Sequence, residues 1–395
     1  MTLSVAVHDP SDLGISASRL ADAAALMDRQ FAEGLTPMTV ALVARHGKLV
    51  WSHALGDARP GGPSVSVDSV FPIASQTKPM TAAVIMALAE RGMIGLSEPA
   101  ALTLPELAEE HSDVMVNHLL THTSGWHEDD TVAARESELA RAIASIPDGT
   151  DMHTHVMLWP GWGVARRLGV RERMQYCNFN YSLLGEIVRR VTGGTLDAAM
   201  RRYLFEPIGM TSSTVIVGDD LRERVIQRPP GIPWGPDHEG TVSFNDDWFA
   251  RSDDGASGVY TSALDLARFW QMLLDGGMVD GTRVLSADAV RVMTTNQIPG
   301  IAVDLMGSSK DEASFGFGFG VAGREAWPRF GGGLSHPSSF RHGGAGGVDG
   351  WVDPDSGVVA VYIEVVTDQT DDGLPLTWAA HRFQDVVNAS VTSRV

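Results

Sequence analysis

The stretch Phe71-Pro-Ile-Ala-Ser-Gln-Thr-Lys-Pro-Met-Thr81 is followed by small or apolar residues as far as Ala89. Pro79 has no backbone N–H, which a helix tolerates only in its first turn, so a helix is expected to begin near Ser75. Gly92 is a natural end for it. Because the helix is apolar on every side, we expect it to be buried. Lys78 is then the only charge at a buried helix start, one turn after Ser75.

This placement suggests chemistry for the serine. Burial disfavours the charged form of a lysine and lowers its pKa. A neutral amine beside a hydroxyl at the positive end of a helix is the arrangement of an activated serine nucleophile. Lysine is otherwise found only at Lys48 and Lys310. The alternative is a solvated helix cap with a surface lysine, because Ser-x-x-Lys is a short pattern that is common by chance.

Composition narrows the class of protein. The chain has 395 residues, 44% hydrophobic and 20% charged, as in ordinary globular enzymes. A formal net charge of −19 argues against a nucleic-acid or anionic-membrane partner. The single cysteine, Cys177, excludes an internal disulfide and a multi-cysteine zinc site, and no cofactor is expected. The N-terminal residues have neither a basic region nor a long apolar region, which predicts a cytoplasmic protein.

The order of predicted elements indicates an α+β fold. A helix ending at Gly34 precedes two strands, 38–45 and 48–54, joined by a tight turn at His46-Gly47. Helical patterns then dominate until strands return near Gly347, and a C-terminal helix is expected from about 374 to 389. We therefore predict one antiparallel sheet flanked by helices, formed by residues 1–80 and 255–395. Residues 81–254 are predicted to form a mainly helical lobe, with the site in the cleft between the two.

Two further segments can complete a serine–lysine site. Tyr176 and Asn178 precede a predicted helix that begins at Ser182. A lysine ammonium nearby can lower the pKa of Tyr176 so that it acts as a general base, and Asn178 could orient a substrate carbonyl. The alternative is a packing tyrosine and a helix-capping asparagine. The second segment, from His342 to Gly347, is rich in glycine, and a strand of this kind can offer its backbone N–H groups to a substrate, unless it is only a mobile loop.

Five motifs follow one another along the chain: Ser75-Gln-Thr-Lys78, His118-Leu-Leu-Thr-His-Thr-Ser-Gly125, Tyr176-Cys-Asn178, Gly258-Val-Tyr-Thr-Ser-Ala-Leu-Asp-Leu-Ala-Arg268 and His342-Gly-Gly344. Together they resemble the serine β-lactamase-like superfamily. The resemblance covers nearly the whole chain and is closest to the class C β-lactamase-related branch, particularly the family VIII carboxylesterases. That branch also includes D-alanyl-D-alanine carboxypeptidases and D-aminopeptidases. The implied fold is β-lactamase/transpeptidase-like.

The resemblance also implies roles for individual residues. Ser75 is implied to be the acylated nucleophile, with Lys78 as its proton partner and Tyr176 as the general base and acid. Asn178 is implied to hold a substrate carbonyl or the Lys78 ammonium. The remaining positions are implied to form the oxyanion hole, through the N–H groups of Ser75 and Ala345, and to line the substrate site, through His342, Gly343 and Gly344.

Departures from the family pattern favour an esterase. β-Lactamases of this branch have Lys-Thr-Gly at the third motif, where this chain has His342-Gly-Gly344 and no fixed charge. Together with the missing export signal, this predicts an intracellular esterase acting on small neutral esters of short acyl chains or aromatic alcohols. The open alternatives are a D-amino-acid peptidase or amidase, a weak β-lactamase, an acyltransferase, or a binding protein with a decayed site. The oligomeric state stays undetermined.

Two side-chain pairs add secondary hypotheses. Trp126 and Trp351 flank the second and last motifs and could line an acyl or alcohol pocket, although such tryptophans more often pack in a core. His118 and His122 have the spacing of zinc ligands on a helix. No glutamate follows the first histidine as it does in metalloproteases, so we expect no metal site.

Overall fold

A computed structural model describes residues 3–134, 162–239, 242–305, 308–322, 332–368 and 379–393. Its strands are β1 (Met38–Arg45), β2 (Lys48–Gly56), β3 (Val70–Pro72), β4 (Met174–Gln175), β5 (Tyr260–Ser262), β6 (Met278–Val279), β7 (Thr282–Arg283), β8 (Val303–Leu305), β9 (Ser308–Lys310), β10 (Gly320–Val321), β11 (Phe340–Gly344), β12 (Val348–Asp353) and β13 (Val358–Glu364). Its helices are α1 (Ala17–Ala32), α2 (Thr77–Ala89), α3 (Val116–Leu120), α4 (Asn178–Thr192), α5 (Leu196–Met200), α6 (Glu206–Ile208), α7 (Asp219–Arg222), α8 (Ala263–Leu274), α9 (Ala287–Met293) and α10 (Ala380–Ser390).

The main sheet joins strands from the two ends of the chain. Its order is β10-β11-β12-β13-β1-β2, and every neighbouring pair is antiparallel. The central pair is β1 with β13, in which Val43 lies opposite Ala360. The predicted union of the N- and C-terminal hairpins in one antiparallel sheet is confirmed, and so are the predicted bounds of β1.

Alternation along the strands separates two apolar layers. Val40 and Leu42 of β1 point into the larger core, which includes α2 and α8, whereas Ala41 and Val43 point to the other face. Helices α1 and α10 cover that second face. Successive side chains of a strand point to opposite faces, so a strand with both faces covered is apolar throughout, as β1 is.

Helix α2 lies in the larger core, as its sequence predicts. Every residue from Thr77 to Leu88 is buried, and Pro79 lies in the first turn. A short 3-10 turn, Ala74–Gln76, precedes the helix and joins it to β3. Because β3 pairs with β5, the start of α2 is anchored to the chain just before α8.

Three predicted boundaries have different outcomes. Helix α4 begins at Asn178, four residues before the predicted start at Ser182, because Cys177 is the last extended residue, with φ −143°. The predicted start of the C-terminal helix at 374 lies outside the described residues, and α10 begins at Ala380. The division into lobes at 81–254 stays a prediction. Among the helices of the described ranges, none has the length and apolar character to cross a membrane.

The loop 253–257 packs closely on α4, which leads to a stability prediction. A Cβ on Gly255 would lie 2.4 Å from the Tyr181 carbonyl oxygen and 3.0 Å from the Gly185 Cα. We expect Gly255→Ala to lower the free energy of unfolding by about 1–3 kcal/mol, because backbone must move to admit the methyl group. Urea denaturation measures this. Gly194→Ala is the matched control, since a Cβ there meets nothing within 4 Å. Equal stability of the two variants would contradict the close contact.

Candidate active site

Ser75 lies in a strained and otherwise buried turn. From Val70 to Leu88 every residue is buried except Ser75, which is partly exposed. The residue before it, Ala74, has a φ of 44°, in the left-handed region that alanine rarely adopts. Strained backbone of this kind persists only where the surrounding structure enforces it, and it concentrates at functional sites. The fold therefore leaves Ser75 as the one partly exposed residue of an otherwise buried segment.

Lys78 is fully buried directly beside that hydroxyl. Its Nζ lies 2.8 Å from Ser75 Oγ, 2.6 Å from Asn178 Oδ1 and 3.0 Å from the Ala256 carbonyl oxygen. Burial lowers the pKa of Lys78 to about 8, against the opposing effect of nearby acidic groups. A neutral amine keeps two N–H donors and one lone pair. The Asn178 and Ala256 oxygens can accept the two N–H groups, which leaves the lone pair for the Ser75 hydroxyl.

Tyr176 lies next to both Ser75 and Lys78. Its ring centroid is 4.9 Å from Lys78 Nζ, and its hydroxyl hydrogen-bonds with Ser75. The His122 ring packs against it at a centroid distance of 4.3 Å. Burial raises the pKa of Tyr176, although the hydrogen bond to Ser75 acts in the opposite direction. The predicted lowering of the Tyr176 pKa was therefore wrong, since desolvation of the buried phenol outweighs its hydrogen bond to Ser75.

Asn178 is held between Lys78 and an acidic residue. Its Oδ1 accepts from Lys78 Nζ, while its Nδ2 donates to Glu128 Oε1 at 2.5 Å. Its backbone N–H donates to Glu128 Oε2 at 2.6 Å. Asn178 was predicted to hold either a substrate carbonyl or the Lys78 ammonium, and the structure places it in contact with Lys78. Its side-chain amide already has hydrogen-bond partners at both the oxygen and the nitrogen.

The third motif runs along β11, next to the Ser75 turn. Gln76 Nε2 donates to the His342 carbonyl oxygen, and a Cβ on Gly344 would lie 2.2 Å from the Ile73 carbonyl oxygen. Glycine at 344 thus allows the strand to approach the turn. The His342 ring is buried. Its burial, and to a lesser extent the positive charge of Lys78, lower its pKa to about 3. The ring is therefore neutral, as the sequence predicted.

Ala345 is exposed and begins the turn 345–347 between β11 and β12. The buried side chain of Arg228 binds this turn, since its Nη2 donates to the Gly346 carbonyl oxygen at 2.7 Å. The guanidinium of Arg228 also lies 5.3 Å from the Phe244 ring centroid. The oxyanion role of the Ser75 and Ala345 N–H groups stays a prediction, and Gly343 is half-buried in the strand before them.

The structure contradicts the pocket role predicted for Trp351. Trp351 is fully buried and packs edge-to-face on Phe383 of α10, on the sheet face opposite α2. Strand alternation explains this, because its neighbours Gly350 and Val352 point the other way. Trp126 is 1% exposed, and its Nε1 donates to the Val164 carbonyl oxygen. Trp351 therefore serves packing, whereas the pocket role of Trp126 stays a prediction.

Sequence reasoning missed three groups at the site. Glu128 follows the His-Thr-Ser-Gly motif closely, and an acidic residue at that spacing was the available signal. The Ala256 carbonyl has no sequence signal, because any residue carries one. Arg228 comes from a distant loop.

His118 and His122, which have the spacing of zinc ligands, accept backbone N–H groups from Met115 and Cys177 through their Nδ1 atoms. Within the described ranges, no three His, Cys, Asp or Glu side chains are placed to hold a metal ion.

Comparison with known proteins bears on the family and the fold of the chain. The family described as Beta-lactamase matches residues 23–381. Penicillin-binding protein 4 of Amycolatopsis lactamdurans is 33% identical over 60% of this chain and 59% of its own length, so the chain spans under two thirds of that relative. Esterase EstB of Burkholderia gladioli is 28% identical over 67% of this chain and 73% of its own. The crystal structure of a family VIII carboxylesterase has the same fold, with a TM-score of 0.69 at 21% identity over 94% of this chain and 99% of the other.

Proposed function

The chain belongs to the β-lactamase family, and on that premise we propose that it is a carboxylesterase that forms an acyl-enzyme on Ser75. Its proposed substrates are carboxylic esters of short acyl chains or small aromatic alcohols. The observation that carries the proposal is the 2.8 Å contact between Ser75 Oγ and the buried Lys78 Nζ. A hydroxyl within hydrogen-bond reach of an amine whose pKa is about 8 has a base available near neutral pH.

In the proposed first step, Lys78 takes the Ser75 proton while Oγ attacks the ester carbonyl carbon. The tetrahedral oxyanion is stabilised by the N–H groups of Ser75 and Ala345. Collapse of this intermediate breaks the bond to the alcohol, and the neutral phenol of Tyr176 donates its proton to the departing oxygen. The Lys78 ammonium then returns a proton to Tyr176. Attack by water on the acyl-enzyme, through the same groups, releases the acid and restores Ser75.

The charges around the site favour esters without a carboxylate. The neutral His342 ring replaces the cation of the β-lactamase motif, so the motif lacks a fixed positive charge for an anionic substrate group. Glu128 adds a negative charge next to Asn178. An anionic substrate would lose its hydration near this carboxylate without gaining a cationic partner from His342, which is unfavourable.

A substrate panel tests the proposal. We expect kcat/KM for an aryl acetate to exceed that for a chromogenic cephalosporin and for a D-amino-acid amide by about 100-fold or more, since mismatched polar groups cost this much discrimination. Initial rates at equal enzyme concentration measure it, with an enzyme-free blank for spontaneous ester hydrolysis. A higher kcat/KM for the amide or the cephalosporin would replace the esterase proposal with a peptidase or β-lactamase. Product formation accelerated by an added alcohol would identify an acyltransferase.

A further inference from the structure

We infer that Glu128 is a positioning residue, which fixes the Asn178 amide toward Lys78 and places a negative charge behind the Ser75–Lys78 pair. This inference rests on the proposed function, because the position of Lys78 matters only if Lys78 activates Ser75. The Glu128 carboxylate hydrogen-bonds to Asn178, and Asn178 in turn hydrogen-bonds to Lys78. Glu128 therefore acts on the reacting pair through Asn178.

The hydrogen bonds leave the Asn178 amide a single orientation. The carboxylate of Glu128 is acceptor-only when ionised, and it takes both the Asn178 backbone N–H, at 2.6 Å, and the side-chain Nδ2, at 2.5 Å. The amide oxygen must then face away from Glu128, where it lies 2.6 Å from Lys78 Nζ. A flipped amide would turn its oxygen toward the Glu128 carboxylate, and two acceptor oxygens facing each other are unfavourable. It would also remove the acceptor from Lys78 Nζ.

Glu128 is itself held in place. It begins a helical segment, and its backbone carbonyl accepts the Thr131 hydroxyl at 2.9 Å. Within the described part of the chain, no lysine or arginine forms an ion pair with it. Among the acidic groups near Lys78, Glu128 makes the largest contribution that raises the lysine pKa.

The other ionisable groups near Lys78 do not duplicate this arrangement. They are Asp254, Cys177, Tyr176, Tyr181, His122 and His342. Asp254 instead accepts the hydroxyls of Ser182 and Ser257. Burial raises the pKa of Cys177 and of both tyrosines and lowers the pKa of both histidines, so these five groups are neutral near pH 7.

The experiment measures covalent labelling of Ser75 by a fluorophosphonate, followed by intact mass, as a function of pH. In Glu128→Gln we expect the labelling rate on the alkaline plateau to fall about 10-fold, because the amine is no longer held in line with the hydroxyl. We also expect the midpoint of the pH profile to move about one pH unit toward acid, because the variant lacks the Glu128 carboxylate that stabilises the Lys78 ammonium. Glu128→Asp keeps the charge but shortens the side chain, so its plateau should fall while its midpoint stays. This second variant keeps the test decisive if Glu128→Gln fails to fold.

Asp129→Asn is the matched control. It removes the same charge from the next residue, whose carboxylate is 77% exposed and faces His127 and Arg167. Its plateau and midpoint should equal those of the wild-type protein. A wild-type profile in Glu128→Gln overturns the inference, and so does a lower plateau with an unmoved midpoint, which indicates a merely structural loss. Absence of labelling in the wild-type protein instead overturns the proposed function.

Discussion

Replacing Ser75 with alanine is expected to lower kcat for an aryl ester by about 10⁴-fold or more, because it removes the hydroxyl that is proposed to form the acyl-enzyme. Ser75 is the only partly exposed residue of its segment, so loss of the hydroxyl creates no buried cavity. The fold should therefore persist, with an unchanged thermal unfolding midpoint. Steady-state rates and the mass of the phosphonylated protein measure the effect.

The control for this variant is Ser18→Ala, on the exposed side of α1 and on the sheet face opposite α2. It should keep full activity and one adduct per chain. If Ser75→Ala retained the adduct or more than about 1% of the activity, another nucleophile would be responsible, since such residual rates exceed what binding and oxyanion contacts alone supply. That result would remove the basis of the proposed function.

Replacing Lys78 with methionine should cost about 10²–10⁴-fold in kcat/KM, the range expected for loss of a positioned general base. The wild-type kcat/KM should rise with pH through about 8, because the neutral amine that accepts the Ser75 proton becomes the major form above that pKa. In Lys78→Met this alkaline rise should disappear. A pH series of kcat/KM for an aryl ester measures both effects.

Stability should change little in Lys78→Met. Methionine fills nearly the same volume in the buried helix, which usually costs less than about 1.5 kcal/mol. The Asn178 and Ala256 oxygens lose a donor, but the cost of burying an amine is removed at the same time. Lys48→Met, at an exposed position of β2, is the control and should keep the wild-type profile. An alkaline rise retained in Lys78→Met would assign the base to another group.

How much of this fold the sequence predicts depends on how far apart in the chain the interacting residues lie. Strand β1 was predicted to the residue, because an apolar run bounded by turn residues is a local property that a few residues express. The buried start of α2 was predicted equally well from Pro79 and the absence of charge. Helix α4 was predicted four residues short, because Asn178 and its neighbours are poor helix formers that α4 accommodates through tertiary contacts.

The site was predicted as a set of residues and not as an electrostatic arrangement. The resemblance selected Ser75, Lys78, Tyr176 and Asn178, and the structure brings all four together. The direction of the Tyr176 pKa was wrong, since it depends on how completely the fold removes water from the phenol. The pocket role predicted for Trp351 was also wrong, because the sheet face that this side chain occupies depends on the register of β12 against its neighbours.

The sequence by itself determined strand β1, the buried helix α2, and the serine and lysine that stand one turn apart at the start of that helix. These are properties of a few consecutive residues and their periodicity. Only the tertiary structure showed that burial raises the pKa of Tyr176 while it lowers that of Lys78 to about 8, and that Glu128 hydrogen-bonds to Asn178. Those properties arise from desolvation and from hydrogen bonds between residues 50, 100 and 178 positions apart, which no local pattern encodes.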